Sequence, residues 1–188
     1  YIFFYFRHNS SQGDIDGVLL ENKYYDTKLD ANYSSRQRYT SYKLDAGVEH
    51  QLFNWYGLNA FYTQNFETIG SEIDPQQQYY SGYVGGSISV DDSFFEKATA
   101  NIRYTGDAFS SSEININAQP EFSFPLTDLT LKVDGDVDYL TGSFDKGYLS
   151  FEGIDYSYLN AGVIPSLVYV NEDLSVSLGA AAYVSLDT

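Results

Sequence analysis

Three carboxylates at alternate positions are the residues whose spacing most clearly could do chemistry. Asp134, Asp136 and Asp138 would project from one face of a β-strand, with Lys132 beside them on that face. Carboxylate oxygens are preferred ligands of hard divalent cations, so this row could bind one. The alternative is a water-covered surface on which neighbouring strands bring Lys and Arg side chains close to the carboxylates. We expect that solvated surface, and we predict neither a metal site nor a cofactor.

Two pairs of adjacent aromatic residues could stack against ring-shaped ligands such as sugars. They are Trp55 with Tyr56, and Tyr79 with Tyr80. The alternative is a membrane interface, where an aromatic ring lies in apolar surroundings while its polar group stays in water.

A catalytic site has few candidate residues in this chain. There is no Cys, which excludes a thiolate nucleophile and a zinc–thiolate site. His8 and His50 are the only histidines, no third metal ligand is identifiable, and no Gly-x-Ser-x-Gly motif occurs. We therefore expect that the protein is not an enzyme and that each histidine is a rim or hydrogen-bonding residue.

Charge and composition exclude further classes. The chain has 188 residues with 10 Lys+Arg against 26 Asp+Glu, and this net charge of -16 argues against a nucleic-acid partner. An aromatic content of 18% argues against disorder. The length suits one domain spanning residues 1–188. Because the chain has no Met and no signal peptide, we expect a mature or internal piece of a longer protein.

The elements that position these residues are strands, because polar and apolar residues alternate through about ten segments. The segments are 1–8, 25–33, 42–48, 58–62, 80–90, 98–104, 114–122, 129–139, 159–169 and 174–184. The apolar stripes contain no Asp, Glu, Lys or Arg. This segregation predicts an all-β antiparallel fold in which one face of every strand avoids water.

An antiparallel transmembrane β-barrel fits these stripes better than a β-sandwich. Many alternating runs reach nine to twelve residues, as membrane strands require, and the stripes are rich in small residues. Tyrosines also stand at the ends of the stripes, as at a membrane interface. They are Tyr25, Tyr33, Tyr42, Tyr62, Tyr80, Tyr104, Tyr139 and Tyr169. The barrel would be complete within the chain or part of a larger one.

Connections and prolines give further expectations. Short turns at 91–93, 125–128 and 171–173 alternate with longer loops near 66–78, 106–112 and 141–155, as in outer-membrane barrels. Pro120 and Pro165 fall within apolar stripes and cannot donate to a strand ladder, so we expect them at bulges or rims.

Two regions of the chain resemble the barrel strands of TonB-dependent-receptor-like proteins of Bacteroidota. They are residues 42–51 (YKLDAGVEHQ) with 54–57 (NWYG), and residues 158–163 (YLNAGV) with 171–176 (NEDLSV). The resemblance implies a bacterial outer-membrane location, solute passage or uptake, and a barrel of about 22 strands. Family members also carry a plug domain and a TonB-contacting segment, neither of which is visible here.

The partners implied are membrane lipid and other outer-membrane proteins or a plug domain. Two alternatives stay open: a secreted all-β glycan-binding domain, and a structural subunit of an outer-membrane assembly.

Overall fold

A single antiparallel sheet contains every strand of the computed structural model, which describes residues 1–13, 22–54, 75–145 and 152–187. The strands are β1 Ile2–Gln12, β2 Lys23–Arg36, β3 Thr40–Asn54, β4 Gln76–Val90, β5 Phe95–Asp107, β6 Ser112–Pro125, β7 Thr130–Phe144, β8 Ile154–Val170, β9 Ser175–Gly179 and β10 Ala182–Asp187. Sequential strands from β1 to β9 are neighbours in the sheet, β10 pairs with β8 as β9 does, and the described residues contain no helix. The all-β antiparallel prediction is therefore confirmed.

No helix among the described residues is long and apolar enough to span a membrane.

The strands are longer than the stripes that predicted them. Strands β2 to β8 have 13 to 17 residues, whereas alternation in β4 is recognisable only over residues 80–90. Strand β4 begins with three glutamines, Gln76 to Gln78, where polar residues occupy both faces and the alternation disappears. The predicted strand at 58–62 lies outside the described residues.

Strands β9 and β10 are two parts of one strand path along β8. Gly179 is the register partner of Ser166, and Ala182 is the partner of Val163, so the register continues unchanged across the break. The break lies opposite Pro165. The Ala180 N–H donates to the Pro165 carbonyl oxygen at 3.1 Å, but proline has no N–H with which to return the bond.

Pro120 also lies within its strand, so neither proline is at a rim, and each lies where a strand ladder is interrupted. The β6–β7 ladder omits the pairing of Pro120 with Gly135, although the register is the same on both sides. A bulge between Phe95 and Lys97 lies alongside on β5. Gly135 leaves room for the ring, because a Cβ there would lie 2.9 Å from the Pro120 Cγ.

Four short turns lie at one end of the sheet, and a fifth lies at the other end. Residues 37–39, 91–94, 126–129 and 171–174 connect strands at the first end, whereas residues 108–111 connect β5 to β6 at the other end. The prediction of a long loop at 106–112 is wrong, since only four residues separate β5 from β6. Asp107 Oδ1 closes this turn by accepting the Phe109 and Ser111 N–H groups at 2.8 and 2.9 Å.

The sheet has no apolar core within the described residues. No hydrophobic side chain is buried there, while Val48, Val84 and Ile102 are 58%, 62% and 52% exposed. The buried side chains are polar, and Asp26 is only 5% exposed.

Candidate functional site

The two faces of the sheet differ in chemistry across all the strands. We call the side with Leu29, Val48 and Val84 the apolar face, and the side with Asp30 and Glu49 the polar face. Register partners keep each face continuous from strand to strand: Leu29 pairs with Val48, and Val84 pairs with Ala46 and Ile102. A one-residue slip would reverse the faces, so the pattern and the register agree.

Two rows of aromatic side chains border the apolar face. The first row, toward the end of the sheet with Gln12 and Phe144, consists of Tyr25, Tyr80, Tyr104 and Tyr139. The second row, toward the short turns, consists of Tyr33, Tyr42, Phe122 and Tyr169. In the first row, the rings of Tyr80 and Tyr104 stack with their centroids 6.0 Å apart. The predicted row residue Tyr62 lies outside the described residues.

The first row crosses the strands obliquely. When register partners are followed from Tyr139 on β7 through β6, β5, β4 and β3, the partner reached on β2 is Ala31. Ala31 is six residues along β2 from Tyr25. At about 3.3 Å per residue and about 4.8 Å between strands, the row moves about 20 Å along the strands while crossing about 24 Å of sheet. The row is therefore inclined by about 40° to the perpendicular of the strands.

The second row has the same incline in the same direction. Register partners lead from Tyr33 on β2 to Ala161 on β8, which is eight residues from Tyr169. The row moves about 26 Å along the strands while crossing about 29 Å of sheet, an incline of about 42°. The two rows are therefore parallel and enclose a band of constant width.

One part of the polar face is held together by charge pairs. On β1–β3, Arg7 Nη2 donates to Asp26 Oδ2 at 2.8 Å and lies 3.9 Å from Glu49 Oε1. On the adjacent strands, the Tyr83 hydroxyl donates to Asp30 Oδ1 at 2.8 Å, and the Arg103 guanidinium lies 5.2 Å from the Tyr83 ring centroid.

The predicted carboxylate row lies on the polar face of β7, with different neighbours from those expected. Asp138 accepts from the Asn115 amide at 3.2 Å, and Asp136 accepts from the Gln119 amide at 3.1 Å. Amides rather than Lys or Arg therefore oppose these two carboxylates. Lys132 turns to Glu96 Oε2 at 3.0 Å, because the bulge in β5 brings Glu96 onto the same face.

The carboxylate row does not converge on one point. Alternate residues of a strand lie about 6.6 Å apart, too far for Asp134, Asp136 and Asp138 to share one small cation. Within the described part of the chain, no three His, Asp or Glu side chains are grouped closely enough to hold a metal ion.

The aromatic pairs predicted as stacking sites do not act as pairs. Tyr79 lies on the polar face and stacks with Phe53, at 5.9 Å between centroids, whereas Tyr80 lies on the apolar face. Consecutive strand residues point to opposite faces, so the two rings cannot contact one ligand together. Trp55 and Tyr56 lie outside the described residues.

Both histidines lie on the apolar face and make hydrogen bonds. His8 Nδ1 lies 2.8 Å from Thr27 Oγ1, and His50 Nε2 lies 2.9 Å from Gln78 Nε2. Thr27 is the register partner of both histidines, so the three side chains form a polar line across β1, β2 and β3.

The chain was compared with protein-family models, curated proteins and solved structures, and none of these comparisons finds a match.

Proposed function

We propose that this chain forms part of the wall of a β-barrel in a bacterial outer membrane, with its apolar face toward lipid. Solute would pass along its polar face, as the likeness to TonB-dependent-receptor-like proteins suggests. The protein would act by binding and passage rather than by catalysis.

The pair of parallel aromatic rows is the observation that carries this proposal. Strands of outer-membrane barrels are tilted by about 35–45° from the membrane normal, and aromatic girdles mark both interfaces. A girdle lies level with the membrane plane, so it crosses strands of this tilt at an equal incline to their perpendicular. The two rows, inclined by about 40°, lie where such girdles would lie. Tyr25 and Tyr33 are about 26 Å apart along β2, or about 20 Å along the membrane normal at this tilt, near the thickness of an apolar band.

The open apolar face also supports a lipid environment over a sandwich. A sandwich buries the apolar face of one sheet against that of a second. All described strands belong to one sheet, and none of their hydrophobic side chains is buried. The glycan-binding sandwich is therefore the less favoured alternative.

The directions of the strands support the proposal that the described strands form an arc of a larger barrel. With β9 and β10 counted as one path, the described strands follow nine paths of alternating direction. The first and last paths consequently run the same way, and pairing them would be parallel. A barrel that is antiparallel throughout has an even number of strands. In this proposal, an odd number of further strands closes the barrel.

Single-cysteine labelling tests which face meets lipid. The chain has no cysteine, so Ala100→Cys and Thr99→Cys each offer one attachment point for a small fluorophore. Ala100 lies on the apolar face of β5, and its neighbour Thr99 lies on the polar face. In reconstituted vesicles, we expect a lipid-attached quencher to quench the label at 100 and aqueous iodide to quench the label at 99.

The matched pair makes the outcome decisive, because the two positions share one strand and one depth. Iodide quenching at both positions, with no effect of the lipid quencher, would overturn the proposal.

A further inference from the structure

A cavity of about 290 Å³ lies across β2, β3 and β4, at the end of the sheet with the four short turns. Six of its lining residues form two rows of register partners: Ser34, Lys43 and Ser87, and Arg36, Ser41 and Ser89. Their side chains all point to the polar face, because Ser34 and Arg36 alternate with Asp30 on β2 and their register partners share that face. The cavity also touches Ser35 and Tyr42, whose side chains point to the opposite face.

The charge around this cavity is opposite to that of the whole chain. Lys97 and Thr99 extend the two rows onto β5. These eight positions carry three cations and no carboxylate, although the chain has 10 Lys+Arg against 26 Asp+Glu. The Tyr1 amino group lies beside them and donates to the Ser34 carbonyl oxygen. A local positive potential favours an anionic ligand.

The cations and hydroxyls that line the cavity have unused hydrogen-bonding capacity. Among the described residues, the Lys43 ammonium forms no ion pair or hydrogen bond, and the four serine hydroxyls form no hydrogen bond. Arg36 Nη2 lies 3.8 Å from Asp91 Oδ2, and 79% of the Arg36 side chain is exposed, so this pair is weak. Lys97 is paired with Glu121 at 3.2 Å. Lys43 and Arg36 are therefore the cations left for a ligand.

The carboxylates of the polar face leave this cavity open to an anion. Asp45 follows Lys43 on the same face of β3, about 6.6 Å along the strand. It lies over Gly85, where an added Cβ would be 3.2 Å from Asp45 Oδ2. The carboxylate row of β7 is four strands away from β3, or about 19 Å. Physiological salt screens exposed charges beyond about 8 Å, so repulsion from that row is weak here.

We propose that this cavity binds a phosphate group. A phosphate monoester carries about −1.5 to −2 charges at pH 7 and three strong acceptor oxygens. Ammonium, guanidinium and hydroxyl groups are all donors, and hydrogen bonds from cations to phosphate are among the strong ones. A carboxylate ligand, with two oxygens, would leave more of these donors unused. Two sources share the chemistry: inorganic phosphate, and the phosphate monoester of a dissolved solute.

Phosphorus NMR tests the assignment, because phosphate that exchanges onto a large particle gives a broader resonance. The probes are inorganic phosphate and glycerol phosphate, each titrated with the protein in an amine-oxide detergent and a phosphate-free buffer. Empty detergent micelles give the baseline linewidth, and acetate is the competing class of anion. We expect the protein to broaden at least one phosphate resonance, and the broadening to persist in an excess of acetate.

Paired variants locate the binding. Arg36→Gln with Lys43→Gln should raise the dissociation constant about tenfold or more, since two hydrogen bonds from cations are lost. The control, Lys23→Gln with Arg103→Gln, removes the same two residue types outside the cavity, where each cation lies over an aromatic ring. The control changes the net charge equally and should bind phosphate as the unchanged protein does.

A second pair of variants leaves the charge unchanged. Ser41→Ala with Ser87→Ala should raise the dissociation constant about fivefold, because two neutral hydrogen bonds are lost. Unchanged binding by this variant would show diffuse attraction to the cations and would overturn a built phosphate site.

The remaining outcomes separate this inference from the membrane proposal. Absence of broadening for both probes, an equal loss in the Lys23–Arg103 control, or displacement of phosphate by acetate would each overturn the phosphate site and leave the membrane proposal standing. Binding of glycerol phosphate alone would assign the site to a monoester, and binding of inorganic phosphate alone would assign it to the free ion. Failure of the face-labelling experiment would remove the membrane proposal and leave the phosphate site standing.

Discussion

At the scale of single residues, glycines make room for tyrosine rings on neighbouring strands. Four glycines lie so close to the ring of a register-partner tyrosine that a Cβ would clash with it: Gly47 with Tyr83, Gly106 with Tyr80, Gly142 with Tyr156, and Gly162 with Tyr183. A Cβ on Gly47 would lie 2.5 Å from the Tyr83 Cε1 atom. The ring can therefore lie across β3, and its hydroxyl reaches Asp30 on β2.

Gly47→Ala should weaken this arrangement. The new methyl group would displace the Tyr83 ring and its hydrogen bond to Asp30, because Asp30 Oδ1 would also be only 2.6 Å away. Overpacking of this kind costs about 1–3 kcal/mol. The free energy of unfolding, measured by urea titration of the lipid-reconstituted protein, should fall by that amount.

Gly82→Ala is the matched control for that substitution. A Cβ on Gly82 would meet its nearest atom at 3.6 Å, an ordinary contact, so the change should stay within about 0.5 kcal/mol. Equal losses from the two substitutions would show that packing against Tyr83 is not the cause.

At the scale of elements, Pro165 divides the last strand path. Ala180 and Pro165 face each other at a position where an antiparallel pair would exchange two hydrogen bonds, and only one is formed. The strand therefore ends at Gly179 and resumes at Ala182 in the same register.

Pro165→Ala should join β9 and β10. The new N–H can donate to the Ala180 carbonyl oxygen, for a net gain of about 0.5–1.5 kcal/mol. Hydrogen exchange measured by mass spectrometry should show greater protection of peptides covering 178–184. Pro125→Ala, at the end of β6, is the control and should leave those peptides unchanged. Unchanged exchange in Pro165→Ala would mean that the missing donor does not cause the break.

At the scale of the whole molecule, charge is concentrated on the polar face. Among the described residues, the apolar face carries no carboxylate between the two aromatic rows, whereas Asp134, Asp136 and Asp138 line the polar face of β7. Neutral amides oppose Asp136 and Asp138, and Glu121 opposes Asp134. If that face lines a passage, its negative potential attracts cations and repels anions.

We expect cation preference in planar bilayers, measured as a reversal potential across a KCl gradient. Replacing Asp134, Asp136 and Asp138 together with Asn should lower the ratio of cation to anion permeability. The control replaces Asp92, Asp128 and Asp173, which lie in short turns, and should change the ratio less. Anion preference in the unchanged protein would contradict the assignment of the polar face to the passage.

Local pattern predicted most of the strands and their faces. Alternation between Asp26 and Tyr33, for example, assigns each side chain of β2 to a face, because the period of two is a property of the strand itself. The same rule separates Tyr79 from Tyr80. The missed turn at 108–111 also had a local signal, since Asp107 is a residue type that closes tight turns.

Only the tertiary structure decided how the strands align. Register joins residues far apart in sequence, so the common incline of the aromatic rows follows from several strand pairings together. The Lys132–Glu96 pair, which spans 36 positions, depends likewise on a bulge in β5. The sequence by itself determined which residues avoid water, because burial preference belongs to each side chain. Which residues meet was decided by hydrogen bonding between strands, which no single segment specifies.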